Sequence, residues 1–375
     1  MEPFKNFINE QTVRDTAHHL HRAWPGFPRK AFESRATAGL AELELKARVM
    51  HLSLALEACL PVDFAHAADI IEASLAPVAG DAPQDEPHDT EQGLAGWAIW
   101  PLGEFVARRG LGVPERALRT LHALTQRSTA EFAIRPFIQQ HPALTFNTLE
   151  QWARDPSAHV RRLVSEGSRP RLPWGMRLKS LIADPSPTLP LLLALQDDAS
   201  EVVRRSVANH LNDIAKDHPG VVADWLDRHL PGATPQRRAL LKHASRSLIK
   251  GSDARVLKAW GLAKPFRGEV RFKLSKRRVA LGDSIEMEVT LQSGAARAQQ
   301  LAIDYAVHHV KANGLTSPKV FKGWTLLLAA GERRELRKNH SLRVVTTRRY
   351  HAGTHTIELR INGRGAGSAN LELQV

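Results

Sequence analysis

The sequence predicts a mainly α-helical protein that ends in a β-sandwich, and three observations predict it. Apolar residues recur at helical spacing from Thr12 to Leu262. A group of residue types within this part repeats after 43 positions. From Ala263 onward, apolar and polar residues alternate over short stretches, as in half-buried β-strands. With 375 residues, the chain is long enough for two cores, and we expect a helical domain at residues 1–262 and a β-sandwich at residues 263–375.

The repetition within the helical part is clearest in two stretches. DPSAHVRR begins at Asp155 and DASEVVRR begins at Asp198, and Asp, Ser, Val and both Arg residues occupy the same places in each. A third Arg pair lies in TPQRRALL. A period near ~40 with paired helices is typical of HEAT-like repeats, which stack into a solenoid. We expect the first Arg of each pair to tie one repeat to the next and the second, about 100° further round the helix, to face a concave surface. The pairs are Arg161 with Arg162, Arg204 with Arg205, and Arg237 with Arg238.

Seven alternating stretches make up the C-terminal part of the chain. They read GEVRFKL, RRVAL, SIEMEVTL, LAIDYAVHHV, NHSLRVV, THTIELRI and ANLELQV, and Gly-containing or polar segments separate them. Seven short strands of this kind favour an antiparallel sandwich of immunoglobulin-like type over a barrel.

The positive charge of the chain is concentrated in this C-terminal part. From Ala263 onward 20 Lys and Arg residues stand against 9 Asp and Glu residues, which gives +11 of the total of +13. Such a field attracts polyanions, so a nucleic acid, an anionic membrane surface or an acidic protein are the partners to consider. The membrane is the weakest of the three, because no amphipathic helix carries a compact Lys/Arg run and no window is long and apolar enough to span a bilayer.

Several kinds of chemistry have no motif in the chain. It contains no P-loop, no dinucleotide fingerprint and no HExxH sequence. The only cysteine is Cys59, which excludes an internal disulfide or a cysteine-based zinc site and fits a reducing compartment. The acidic stretch AGDAPQDEPHDTEQG, at residues 79–93, lacks apolar periodicity and is expected to be an exposed loop without a function. We therefore expect no metal and no organic cofactor.

The most unusual stretch for a helical repeat is SEGSRPRLPWG, at residues 165–175. It can be a helix end followed by a proline-rich turn in which Trp174 fills the core. That interpretation explains the glycine and the prolines, but leaves Glu166 with Arg169, Arg171 and Trp174 unexplained. The alternative is a structured loop that carries function on a rigid scaffold.

Four helical segments and two C-terminal ones resemble a known family. SEGSRPRLPWG, together with STAEFAIRPFI from Ser128, GWAIWPLGEFV from Gly96 and VANHLNDIAKDHP from Val207, is similar to the AlkC branch of the AlkC/AlkD family of DNA alkylation-repair proteins. VFKGWTL from Val320 and TTRRYHAGTH from Thr346 resemble the immunoglobulin-like appendage of one AlkC subgroup. The resemblance covers nearly the whole chain.

The resemblance implies a monofunctional DNA glycosylase of base excision repair. The enzyme would hydrolyse the N-glycosidic bond of cationic N-alkylated bases in duplex DNA, N3-methyladenine first and N3-methylcytosine second, without full flipping of the base. Its partner would be duplex DNA that contains alkylated bases or abasic sites. A cytoplasmic protein is expected, because no targeting or membrane-spanning segment is evident in the sequence. We expect it to be bacterial and associated with the nucleoid during repair, and to act as a monomer without an obligate protein partner, because one chain could embrace a duplex.

Four residues take the family's catalytic positions by this resemblance: Glu166, Trp174, Asp213 and Glu131. An alkylated base already carries a positive charge and leaves without a strong general acid. Carboxylates can stabilise the cationic sugar and orient a water, and an indole ring can face the same cation. Three of the four also have a structural interpretation: Glu131 as a salt bridge between repeats, Asp213 as a helix-end partner of Arg204 or Lys216, and Trp174 as a core residue.

Basic residues on both domains are the expected contacts to DNA phosphates, which position a duplex without reading its sequence. In the helical domain these are Arg161, Arg162, Arg169, Arg171, Arg204, Arg205, Arg237 and Arg238. In the C-terminal domain they are Lys322, Arg348, Arg349 and His351, all expected on loops, whereas Trp324 and Tyr350 fit either a DNA-facing loop or the sandwich core.

Two other functions remain open from the residues alone. The first is a non-enzymatic HEAT-repeat protein that binds DNA or serves as a repair scaffold, because solenoids are above all binding surfaces. The second is a protein-binding adaptor whose basic sandwich meets an acidic partner. Release of a free base separates the enzyme from the scaffold, and a steep salt dependence of duplex affinity separates both from the adaptor.

Overall fold

A computed structural model describes residues 3–78, 91–345 and 348–375 of the chain. Most of the predicted loop at residues 79–93 therefore lies outside the described residues. The α-helices of the described ranges are α1 (Glu10–Ala23), α2 (Arg29–Thr37), α3 (Leu45–Cys59), α4 (Phe64–Ser74), α5 (Ile99–Arg109), α6 (Pro114–Thr125), α7 (Arg135–Gln140), α8 (Pro142–Trp152), α9 (Ala158–Gly167), α10 (Lys179–Ala183), α11 (Leu189–Leu195), α12 (Glu201–Ile214), α13 (Pro219–His229), α14 (Pro235–Ala244), α15 (Arg246–Lys250) and α16 (Ala254–Ala259).

The strands follow the last helix and form two sheets. They are β1 (Gly268–Leu274), β2 (Arg278–Ala280), β3 (Ser284–Ser293), β4 (Gln299–Val310), β5 (Thr316–Leu328), β6 (Arg333–Ser341), β7 (Gly353–Ile361) and β8 (Arg364–Gln374). One sheet has the order β1-β3-β6 and the other the order β2-β8-β7-β4-β5. All neighbours are antiparallel except β2 and β8. The predicted fold class, helical repeats followed by an immunoglobulin-like sandwich, is confirmed.

The helices with the repeated sequence begin in the same way. The side chain of Asp155 accepts a hydrogen bond of 2.8 Å from the amide of Ser157 just before α9, and Asp198 accepts the same bond from Ser200 before α12. α9 packs on α12, and α12 packs on α14. The shared sequence therefore marks equivalent starts of successive repeats.

The aspartates at these starts also join neighbouring repeats. Nε of Arg161 on α9 lies 2.6 Å from Asp198, so the first Arg of this pair binds the next repeat, as predicted. Asp155 makes the corresponding contact to the previous repeat, where Nε2 of His122 on α6 lies 2.7 Å away. Arg237 on α14 reaches back to Asp197. An inter-repeat pair is thus present at three successive places along the helical part.

The core of the sandwich lies between the two sheets. Ile285 of β3 packs there with Val307 of β4 and Ile357 of β7, and these side chains are fully buried. Tyr350 belongs to the same cluster, which supports its interpretation as a core residue. Trp324 is partly buried against a neighbouring apolar cluster. Alternation of buried and exposed residues along β3 and β7 matches the period-2 pattern read from the sequence.

Two strands differ from the prediction. The sequence predicts seven strands, but the described residues contain eight, because the sequence of β5 lacks the alternation that predicts a strand. It contains Pro318 and Gly323, residues that are rare in strand interiors. Gly323 lies opposite a β-bulge at Ile303 and Asp304, where an added Cβ would lie 2.4 Å from the carbonyl oxygen of Ile303. The strand predicted as NHSLRVV is shifted to β6, whose sequence RRELRKNHS is too charged to show an apolar alternation.

The chain divides into two compact units that are described separately. One unit contains residues up to 217 together with 234–244, and the other contains 218–233 and 245–375. The predicted boundary at 262/263 stays a prediction. Among the described residues, no helix has both the length and the apolar character to cross a membrane.

Buried histidines in the sandwich predict acid sensitivity of its core. Burial, with the nearby charge of Arg348, lowers the pKa of His309 on β4 to about 3 and that of His340 on β6 to about 4. These values lie below the ordinary histidine value of about 6.5, so the unfolded chain binds protons first as the pH falls. The stability that the neutral rings contribute is present above about pH 6.5 and is lost progressively below it.

We therefore expect amide protection in β4 and β6 to weaken between pH 7 and pH 5, after correction for intrinsic exchange rates. Hydrogen exchange read by mass spectrometry measures this for each strand. In H340F, which places a non-titrating ring in the same position, the weakening should be smaller. Protection that stays constant over this range in the natural protein would contradict the expectation, since most carboxylates titrate below it.

Candidate active site

A cleft of about 410 Å³ opens between three segments of the first unit. The segments are the start of α5 with the turn before it, the stretch that precedes α7, and the end of α9 with the loop that follows. The lining residues are Gly96, Trp97, Trp100, Ser128, Thr129, Glu131, Phe132, Glu166, Arg169, Leu172, Pro173 and Trp174. Three of the four predicted catalytic residues thus lie in one cleft, although up to 43 residues separate them in the sequence.

Aromatic rings form one side of the cleft. The rings of Trp100 and Phe132 stack with their centroids 4.8 Å apart, and Trp97 lies 6.4 Å from Trp100. Trp97 in turn stacks on Phe7 at 5.2 Å. A wall of indole and phenyl faces favours flat or cationic groups in the cleft.

Trp174 projects into this cleft and does not fill the core. Its residue is 57% exposed, which rules out the core interpretation. Its backbone has a φ of 63°, a left-handed conformation that is rare for a large residue. The Nζ of Lys46 donates to the carbonyl of Trp174, and the Phe4 ring meets the indole edge to face at 6.1 Å. A bulky residue held in an unusual conformation at a cleft is typical of a functional loop.

Glu166 lies at the end of α9 in a buried ionic network. Its Oε1 accepts a hydrogen bond of 2.5 Å from Nη1 of Arg169, and its Oε2 accepts one of 2.6 Å from the Ser206 hydroxyl. Nε of Arg169 donates to Oδ2 of Asp213 at 2.8 Å. Burial disfavours the charged guanidinium, but the two carboxylates more than offset this and raise the pKa of Arg169.

Asp213 belongs to this network but not to the described lining of the cleft. It is 2% exposed on α12, and its second oxygen accepts a hydrogen bond of 2.8 Å from Lys216. Its connection to the cleft runs through Arg169. The predicted helix-end contact with Lys216 is therefore present together with the buried one.

Glu131 lies at the edge of the cleft. Its Oε2 accepts hydrogen bonds of 2.9 Å from both Nη2 of Arg162 and the Thr129 hydroxyl, so the predicted salt bridge between repeats is also formed. Arg162, the second Arg of its pair, thereby contacts two residues that line the cleft, whereas Arg161 binds the next repeat.

Arg135 fixes the loop between the end of α9 and Met176. Its guanidinium is fully buried and donates to the carbonyl of Gly167 at 2.7 Å and, through Nε, to the carbonyl of Met176 at 2.7 Å. Burial and the nearby charge of Arg169 lower its pKa to about 10, so it remains cationic at neutral pH. The buried guanidinium of Arg135 thus links the two ends of the loop that carries Arg169 and Trp174.

Gly167 has a packing role in addition to ending α9. An added Cβ would lie 2.6 Å from Cγ2 of Ile134, so the helix end approaches the residue before α7 more closely than any side chain allows. We expect G167A to lower the free energy of unfolding by about 1–3 kcal/mol, the usual cost of overpacking. Urea denaturation measures it. The matched variant G112A, where nothing lies within 4 Å of the added Cβ, should be nearly neutral; equal effects of both would contradict the packing role.

The remaining basic residues of the first unit occupy several environments. Arg171 pairs with Asp217, Arg205 with Glu201, and the side chain of Arg204 donates to the carbonyls of Asp198 and Ala199. Arg238 lies on α14. Arg169 differs from the phosphate contact predicted for it, because its guanidinium is buried between Glu166 and Asp213. Phosphate contacts by the others stay predictions.

The basic residues predicted on loops of the sandwich are also distributed differently. Lys322 lies within β5 and not on a loop, because β5 was not recognised as a strand. Arg348 is bound to Nε2 of His309 and lies over the Tyr350 ring at 5.7 Å. Arg349 is exposed, and His351 is half-buried with its carbonyl accepting from His355.

Several residues of the site are not predicted from the sequence. Trp97, Trp100 and Phe132 occur in the segments that carried the family resemblance, but their helical spacing resembles an ordinary core face. Ser206 and Arg135 gave no signal, since a serine or an arginine within a helix is unremarkable until its partners are known. Only the tertiary fold brings these residues to the carboxylates.

Comparisons with known proteins agree along the whole chain. Residues 269–375 match the family model of the C-terminal Ig-like domain of uncharacterised protein YhaZ. Uncharacterized protein YhaZ of Bacillus subtilis (strain 168) is 33% identical over 375 residues, which is 100% of both chains. The structure of Pseudomonas fluorescens alkylpurine DNA glycosylase AlkC, bound to DNA containing an abasic site analog, superimposes with a TM-score of 0.90, 33% identity and 100% coverage of both chains.

The helical repeats, the buried carboxylate network and the C-terminal sandwich define a HEAT-like-repeat protein with an immunoglobulin-like domain. Identity of 33% across the full length of two relatives is enough to assign a family. The chain belongs to the AlkC-type family of DNA alkylation-repair proteins, in the subgroup that carries the immunoglobulin-like domain, and the resemblance found in the sequence is confirmed.

Proposed function

We propose that this protein is a monofunctional DNA glycosylase that hydrolyses the N-glycosidic bond of cationic N-alkylated bases in duplex DNA. N3-methyladenine is the first substrate expected and N3-methylcytosine the second. The observation that carries the proposal is the cleft in which Glu131, Glu166 and Trp174 converge beside an aromatic wall. Full-length similarity to a DNA-bound alkylpurine DNA glycosylase supports the reaction class.

The charge of the substrate determines what the site must supply. A ring-alkylated base is already cationic and leaves as a neutral molecule, so the enzyme needs no strong general acid. As the bond breaks, positive charge moves to the deoxyribose, and a fixed carboxylate stabilises that charge. Glu166 fits this task because Arg169 and Ser206 fix both of its oxygens, which removes the need to reorganise during the reaction.

The other residues would complete the reaction. Glu131, which is less deeply buried, is placed to accept a proton from the attacking water while Arg162 holds its carboxylate. Trp174 offers an exposed indole face to the cationic sugar or base. Asp213 would act through Arg169, as a residue that positions Glu166.

The experiment that tests the proposal is incubation of the purified protein with N-methylated duplex DNA, followed by chromatography of the released bases. We expect free N3-methyladenine and an intact sugar–phosphate strand with an abasic site, without added metal. Tight, salt-sensitive binding of the duplex without release of any base would favour the non-enzymatic scaffold instead.

A further inference from the structure

The second unit contains a cleft of about 780 Å³ beside the segment that connects α16 to β1. We call it the linker cleft. It is lined by Lys258, Gly261, Ala263, Lys264, Pro265, Arg267, Ala295, Ala296, Arg297, Ala298, Gln299, Gln300, Leu327 and Asn362. We propose that the linker cleft binds the sugar–phosphate backbone of DNA, at a place separate from the candidate active site and from the loop of Arg348 and Arg349. The inference rests on the proposed function only in taking DNA as the partner.

All charged side chains that line the linker cleft are positive. Four exposed cations line it, Lys258, Lys264, Arg267 and Arg297, and no carboxylate is among its lining residues. None of the four forms an ion pair with a described residue. Some arginines elsewhere on the sandwich are paired with a carboxylate: Arg334 pairs with Glu332, and Arg360 pairs with Glu358. Uncompensated cations around one cavity attract an anion, and their distribution over three chain segments favours an extended one.

The backbone that carries two of these cations is held in place by amide side chains. Asn362 is 4% exposed, and its Nδ2 donates to the carbonyl of Lys264 at 3.1 Å and to that of Gln300 at 3.2 Å. The Gln299 side chain bonds both the amide and the carbonyl of Arg267, at 2.8 Å and 2.9 Å. The linker is therefore attached to the start of β4 and to the turn between β7 and β8. Because its backbone is already ordered, binding an anion there costs little conformational entropy.

The floor of the cleft distinguishes a nucleic acid from an acidic peptide. Ala263, Ala295, Ala296 and Ala298 present small apolar surfaces next to the exposed side chain of Leu327. Deoxyribose is small and apolar on its faces, and its phosphates would reach the cationic rim. If an acidic peptide bound its carboxylates to the cationic rim, its backbone amides would lie over this apolar floor without hydrogen-bond partners.

The linker cleft lies at the opposite end of β4 from the predicted DNA-binding loop. Gln299 is the first residue of β4 and lines the cleft, whereas Arg348 contacts His309 near the end of the same strand. Arg348 is also engaged with the Tyr350 ring, which reduces its freedom to reach a phosphate. The linker end of the sandwich, in contrast, presents four exposed cations around one cavity.

The test compares two double variants of the full-length protein that remove the same charge from the same domain. R267Q/R297Q removes two cations of the linker cleft, and R333Q/R334Q removes two arginines that are paired with Glu335 and Glu332. Fluorescence anisotropy with an undamaged duplex is measured from low to moderate salt, and thermal melting confirms that both variants fold. Each phosphate contact contributes about 0.9 to the slope of log affinity against log salt.

We expect the slope of R267Q/R297Q to fall by about 1.8 and that of R333Q/R334Q to change by less than half as much. Equal slopes for the two variants would overturn the inference, and this is also the result expected if an acidic protein occupies the cleft. Base release is assayed on the same preparations. If the natural protein releases a base and the salt slope of R267Q/R297Q is unchanged, only the linker-cleft proposal is refuted. If the slope of R267Q/R297Q is reduced but the natural protein releases no base, the proposed enzymatic function is refuted and the linker-cleft proposal is supported.

Discussion

Replacing Glu166 with glutamine should reduce the single-turnover rate of base release by about 10²- to 10⁴-fold and leave the fold intact. Glutamine keeps the shape of the side chain, and its amide can still accept from Arg169 and interact with the Ser206 hydroxyl. Arg169 also keeps its bond to Asp213, so no buried cation is left unpaired. In the proposed mechanism, the variant loses the negative charge that stabilises the developing cation. Quenched-flow assays on methylated duplex measure the rate.

The control for E166Q is E33Q, which removes one carboxylate from a surface ion pair with Arg29 on α2. Any loss of negative charge strengthens attraction to DNA, and the control isolates that effect. We expect E33Q to match the natural protein in rate. A rate for E166Q within threefold of the natural one would refute the catalytic role of Glu166, and a large drop in melting temperature would favour a purely structural one.

Replacing Arg169 with methionine should lower the free energy of unfolding by about 3–5 kcal/mol, the usual cost of removing one partner of a buried ionic group. The variant leaves Glu166 and Asp213 buried near each other without the cation between them. Urea denaturation at neutral pH measures the difference in free energy of unfolding between R169M and the natural protein.

Arg171 provides the matched control for this variant. It lies two residues further along the same loop, and it pairs with Asp217 at the surface. R171M removes the same side chain and charge, but its partner remains hydrated, so we expect a far smaller change in stability. Equal losses of stability in R169M and R171M would show that the buried network does not depend on Arg169.

The helical half of the fold could be predicted because its signals are local. The repeated Asp accepts the same backbone hydrogen bond before α9 and α12. Of the first Arg residues, Arg161 binds the following repeat as predicted, whereas Arg204 binds carbonyls of its own turn and Arg237 binds the preceding repeat. Such contacts depend on residues a fixed distance apart, which a period in the sequence reveals. The strands were harder to predict, because the Pro-containing sequence of β5 and the charged sequence of β6 lack alternation. β6 also pairs with β3, a strand that is distant in the chain.

The candidate site could be predicted only in part. The unusual composition of SEGSRPRLPWG pointed to Glu166 and Trp174, and the family resemblance added Glu131 and Asp213. The role of Arg169 could not be read from the sequence, because an arginine next to a proline gives the same signal whether it faces solvent or two carboxylates. The difference depends on α12, which supplies Ser206 and Asp213 from about 40 residues away.

The inter-repeat pairs have a consequence for how the first unit unfolds. His122 with Asp155, Arg161 with Asp198, and Arg237 with Asp197 each join a repeat to the turn that starts its neighbour. In repeat proteins, cooperativity comes from such nearest-neighbour terms, since a repeat that opens alone forfeits the contacts on both of its sides. Helices α6, α9, α12 and α14 should therefore exchange their amide hydrogens as one cooperative unit. A truncation between any two of these helices would remove one member of an inter-repeat pair and leave the other member without its partner at the new terminus.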